Sequence, residues 1–163
     1  MKKLIALLSV ILVSVGLCSC DPGTYYFSAR ELLQNVTKIE LVESKNDNPF
    51  VMIVNDENHP TFNYEEATFL ESLDENDYEN FINELSRVTF HLINKSVNSP
   101  VGRTLILFTN DYMIVVSFNE VGRRKVYSFV SKFDLESNFI EHLAYFAYFP
   151  SYDKIMDKYF SNY

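Results

Sequence analysis

The chain has 163 residues, with 14 Lys and Arg against 22 Asp and Glu and a net charge of −8. This balance argues against a protein that grips the phosphate backbone of a nucleic acid, which needs clustered cations; the one basic cluster, Arg123-Arg124-Lys125, falls at a turn. The 14 Phe and 11 Tyr provide enough core material for one domain, and with only 4 Gly and 5 Pro the chain is not low-complexity.

Met1-Lys2-Lys3 is followed by "LIALLSVILVSVGL", ending at Leu17. Two lysines ahead of a short apolar run match the charged and apolar regions of a secretory signal peptide. The run falls short of the roughly 20 apolar residues that span a bilayer. It leads into Leu17-Cys18-Ser19-Cys20. As a Cys-x-Cys pair, these residues lack the two further ligands of a zinc site.

The four residues resemble the lipobox of bacterial lipoproteins: a Leu, a tolerant position, a small residue and the Cys that is lipidated. The resemblance implies a signal peptide over residues 1–19, with Cys18 discarded in it. Cys20 then carries a diacylglyceryl group, residues 20–27 form the lipidated Cys and tether, and residues 28–163 form a single globular domain. Two acyl chains anchor stably where one is marginal. The implied location is the extracytoplasmic face of the cell membrane, with the membrane itself as a partner through the lipid. Loss of Lys2 and Lys3 makes the remaining chain still more acidic, so an anionic bilayer repels it mildly. In composition the chain resembles small lipoproteins of low-GC Gram-positive bacteria, a likeness that carries no activity with it.

In chain order, Tyr25-Tyr26-Phe27 is expected to make the first core contact. Ser28-Ala29-Arg30-Glu31 fits a capping box opening a short helix. "VTKIELVE" alternates, with Thr37, Ile39, Leu41 and Glu43 forming the more apolar face of a strand. "FVMIV" over 50–54 predicts a buried strand, and "ATFLESL" over 67–73 a third. Asp74 reads as an N-cap. After it, Tyr78, Phe81, Ile82 and Leu85 share one helix face, with Arg87 at the C-terminal end.

The next segment predicts a four-stranded antiparallel meander made from "RVTFHLI" (87–93), "RTLILFT", "YMIVVSF" and "KVYSFVSKF". Asn110-Asp111 and Gly122 supply its tight turns. Leu135, Phe139, Leu143 and Phe146 recur at helical spacing and predict a helix stopped by Pro150. "SYDKIMDKYF" then predicts another, with Tyr152, Ile155, Met156 and Tyr159 in one stripe. The expected fold class is α+β: an antiparallel sheet of about five to seven strands with a C-terminal β-meander and helices packed on one face.

Signs of chemistry are sparse. His59, His91 and His142 form no His-x-x-x-His or His-Glu-x-x-His pattern, so no metal site or cofactor is expected. The acidic loops "NDNP" and "NDEN" lack calcium-loop spacing. No Gly-x-Ser-x-Gly occurs. No catalytic residue is assigned, and Cys20 is the single site residue, for lipidation. The expected function is a non-catalytic extracytoplasmic binding or interaction module whose partner is a protein or a cell-wall polymer. The alternative is a small cell-envelope hydrolase with a site assembled from scattered residues.

Overall fold

The computed structural model describes residues 23–44, 51–53, 60–62, 64–91, 103–121, 124–146 and 150–163. The first half runs β1 (Thr24–Tyr25), α1 (Ala29–Asn35), β2 (Val36–Ser44), β3 (Val51–Ile53), β4 (Pro60–Phe62), β5 (Ala67–Ser72) and α2 (Tyr78–Leu85). The second half runs β6 (Phe90–His91), β7 (Arg103–Thr109), β8 (Tyr112–Val121), β9 (Arg124–Asp134), β10 (Phe139–Phe146) and α3 (Pro150–Tyr159). Six strands form one antiparallel sheet in the order β10-β9-β8-β7-β2-β5, and two short pairs, β1-β6 and β3-β4, lie outside it. The class is α+β, as the sequence pattern predicts.

The pleat sorts the sheet residues onto two faces. Ile39, Leu41, Leu105, Leu107, Ile114 and Val116 point toward the helices. There they meet Leu32 of α1, Phe81, Ile82 and Leu85 of α2, and Tyr152, Ile155 and Met156 of α3. Each such side chain contributes roughly 1.5–3 kcal/mol by leaving water. The opposite face carries Val42, Ile106, Met113, Val115 and Phe133, covered by Phe62 of β4. β7 is buried on both faces because β2 and β8 flank it and both layers cover it.

Local signals act largely as read. The Ser28 hydroxyl accepts from the Glu31 N–H at 3.3 Å, capping α1. The Asp74 carboxylate accepts from the Asn76 N–H at 2.9 Å and opens a single 3₁₀ turn that leads into α2. Phe81, Ile82 and Leu85 are buried along the expected face of α2. In the segment read as the end of the tether, Thr24 and Tyr25 pair with His91 and Phe90. Phe27 is only 3% exposed, whereas Tyr26 between them stands 53% exposed.

Three expectations are corrected. The stretch read as a helix through Phe139, Leu143 and Phe146 is instead β10, paired with β9. Register shifts fall between Phe139 and Glu141 and between His142 and Ala144. Each shift adds a residue to one strand, so residues sharing a face recur at three rather than two. Phe139 and His142 thus share one face and Glu141 and Ala144 the other, while Phe139 and Leu143, which read as one helix stripe, pack on opposite faces of the sheet. Pro150 begins α3 rather than stopping a helix, since its fixed φ and missing N–H suit a first turn.

The meander therefore consists of β7, β8, β9 and β10. "RVTFHLI" is not in it: Phe90 and His91 pair with β1, and residues 92–93 lie outside the described residues.

Candidate functional site

A cleft of about 190 Å³ opens on the helix side of the sheet, where the segment before α1 crosses β8, β9 and β10. Tyr25, Tyr26, Glu31, Tyr112, Lys132 and Glu141 supply its polar and aromatic groups, over a floor that includes Phe27, Ile114 and Leu143.

Tyr112, Glu31, Lys132 and Glu141 are held in place by their neighbours. Thr109 locks the β7-β8 hairpin: its hydroxyl donates to the Tyr112 carbonyl at 2.8 Å and accepts from the Tyr112 N–H at 3.0 Å. Tyr112 thus stands at the start of β8, and its hydroxyl donates to Glu31 Oε1 at 2.9 Å. The capping-box glutamate therefore reaches across to the sheet.

On the next strands, Lys132 lies opposite Glu141 in register. Its Nζ is 3.4 Å from Glu141 Oε1 and 3.9 Å from the centre of the Tyr112 ring. The register is fixed by the β9-β10 turn, where the Asp134 carboxylate accepts from the N–H groups of Glu136 (2.9 Å) and Asn138 (2.8 Å). Bonds from Asn138, first its side chain and then its backbone, hold the Asp134 carboxyl below its usual range. Ser137 turns the chain with φ 69°.

The cleft is electronegative. Burial, then the neighbouring Glu31, Tyr112 and Glu141, push the Tyr25 hydroxyl well above its usual range. Tyr112 is pushed up to about 12 by burial, then by its bond to Glu31, with Asp111 and Glu141 adding to the effect.

The other face of the sheet holds a second polar group. Glu40 is only 6% exposed. It accepts from the Tyr64 hydroxyl at 2.5 Å and pairs with Lys38 Nζ at 3.0 Å. The ammonium lies 4.1 Å from the centre of the Phe108 ring. Glu40 is buried with both partners in place while the Lys38 side chain reaches solvent at 42% exposure, so the network reads as a structural tie between β2 and the segment before β5.

Of the residues singled out in the sequence, Cys20 and His59 lie outside the described residues. His91 falls on β6, opposite Thr24. His142 is on β10, with Nδ1 3.1 Å from the Ser131 hydroxyl. A Ser–His contact invites comparison with a hydrolase, but Ser131 is fully buried at 0% exposure and no substrate carbonyl can reach it. Burial lowers the His142 pKa to about 4, so the ring is neutral at physiological pH.

Among the described residues, no three of His, Cys, Asp and Glu gather where they could hold a metal ion. No described helix is long and apolar enough to cross a membrane.

Apart from Glu31, which belongs to the Ser28–Glu31 capping box, the cleft residues carry no motif in the sequence. Tyr112 follows the legible Asn110-Asp111 turn, but Lys132 and Glu141 meet only because 139–146 is a strand. The chain matches no family model, and no curated protein or solved structure was found to match it.

Proposed function

We propose that the protein is a lipid-anchored module on the extracytoplasmic face of the cell membrane, and that it binds a ligand or partner without transforming it. The observation that carries the reading is the cleft lined by Tyr25, Tyr26, Glu31, Tyr112, Lys132 and Glu141. It combines aromatic faces with a few fixed polar groups, the mixture that recognition sites use.

Its position suits an anchored binder. Tyr25 follows Cys20 by so few residues that the chain between them spans at most about 18 Å when fully extended. A lipid on Cys20 would hold the cleft near the bilayer. Ser131, fully buried beside His142, offers a substrate no access, which favours binding over hydrolysis.

The anchor is tested by labelling cells with an alkyne fatty acid and comparing the wild-type chain with Cys20→Ala. Label and membrane retention are expected in the first and lost in the second. A Cys20→Ala protein that is still processed, labelled and membrane-bound would refute the anchor. The binding half is tested by nuclear magnetic resonance titration of the full chain in micelles. Saturable shifts clustered at Tyr25, Tyr112 and Lys132 support it. Shifts that avoid the cleft, or chemical conversion of the ligand, would overturn it.

A further inference from the structure

Within the cleft, the arrangement of charge and aromatic rings points to a particular ligand class, an inference that rests on the cleft being a binding site. Two carboxylates, Glu31 and Glu141, share the space with one ammonium, Lys132. Asp111 and Asp134 stand at the adjoining turns. An anionic ligand would enter against this field. A neutral ligand would leave it uncompensated.

Lys132 shows what the site accepts. Its ammonium sits 3.9 Å from the Tyr112 ring centre, over the π face, and 3.4 Å from the Glu141 carboxylate. Aromatic face plus carboxylate is the recognition geometry for an alkylammonium. The Lys132 and Glu141 side chains are 24% and 53% exposed, so both have room to swing out. The remaining carboxylate, Glu31, has the Tyr112 hydroxyl on Oε1 and is itself exposed beside Tyr25 and Tyr26.

We infer that the cleft binds a primary ammonium group of a ligand between Glu31, Glu141 and the tyrosine rings, and that Lys132 is an internal occupant of the same position which the ligand displaces. An amine of this kind could be borne by a lysine side chain in a peptide or by a de-acetylated amino sugar. The chemistry is shared and the test separates the two.

The experiment is isothermal titration of the full chain in detergent micelles with N-acetyl-lysine methylamide, with glucosamine, and with N-acetylglucosamine as the neutral control. The first two are expected to bind and the third not; whichever amine binds more tightly identifies the source. Lys132→Met keeps a long unbranched side chain of similar reach and removes the competing charge, so it is expected to bind the amine about tenfold more tightly. Lys132→Arg keeps an internal cation and stays near the wild-type affinity. Glu141→Gln and Glu31→Gln each weaken binding about tenfold, as loss of a charge partner does.

Should Lys132→Met fail to fold, the two Gln variants and Lys132→Arg carry the test. A Lys132→Met protein that is folded, as shown by an unchanged thermal transition, yet binds no tighter would refute the displacement. N-acetylglucosamine binding at the cleft without either amine would overturn the amine class and leave the binding reading standing. If none of the three probes binds, the amine inference falls, and with shifts absent from the cleft in the titration above the binding reading falls with it.

Discussion

Tyr64 and Glu40, distant in sequence, meet on the sheet face away from the helices, where the Tyr64 hydroxyl donates to a carboxylate only 6% exposed. A buried carboxylate that loses a partner keeps its desolvation penalty and loses its compensation. Tyr64→Phe is therefore expected to destabilise the fold by about 1–3 kcal/mol in denaturant unfolding. Tyr64→Phe combined with Glu40→Gln should destabilise less than the two separate losses added, because the neutral amide no longer needs a charged-state partner.

The same contact makes stability fall at alkaline pH. Burial, then the bond to Glu40, push Tyr64 up to about 12, and Tyr112 rises to about 12 beside Glu31. Both folded values lie above the ordinary tyrosine value of about 10. Their contribution is complete below pH 10 and is lost as pH rises toward 12. Unfolding midpoints measured from pH 9 to 12 should drop, and Tyr64→Phe should flatten part of that slope.

His142 behaves in the opposite sense. Burial lowers its pKa to about 4, below the ordinary 6.5. Its contribution is complete above pH 6.5 and declines as pH falls toward 4, by about 1–2 kcal/mol once partial solvent access is discounted. The His142 ring resonances should show no protonation until well below pH 6. Titration near 6.5 would contradict the half-buried position on β10.

Core and surface aromatics should separate sharply. Phe81 is fully buried, edge-on to Tyr159 and Phe160 at 5.3 and 5.8 Å between ring centres. Phe81→Ala is expected to destabilise by about 3–5 kcal/mol. Phe69, 56% exposed on the outermost strand β5, should change stability by less than about 0.5 kcal/mol on Phe69→Ala. Chemical denaturation of both variants checks the contrast.

Ser137 carries the left-handed φ of 69° in the β9-β10 turn. Glycine has no Cβ to strain there, so Ser137→Gly is expected to stabilise by about 0.5–1 kcal/mol, while a β-branched Ser137→Val destabilises. If Ser137→Gly destabilised the fold, the turn geometry that sets Lys132 opposite Glu141 would be in question.

The sequence by itself determined the elements whose signals are local. Ser28 caps α1 because its hydroxyl reaches the Glu31 N–H three residues on. Phe81, Ile82 and Leu85 mark the buried face of α2 because helical period alone aligns them. Asn110-Asp111 turns β7 into β8 between two apolar runs. Tertiary structure decided what depended on a neighbouring strand. In β10 the apolar residues recur at helical spacing but divide between both faces of the sheet, and only pairing with β9 shows the strand. The same pairing brings Lys132 to Glu141, and the α1-sheet crossing brings Glu31 to Tyr112. Hydrogen bonding to a partner strand and contacts across the layers leave no fixed spacing along the chain, so the cleft could be read only once the sheet was assembled.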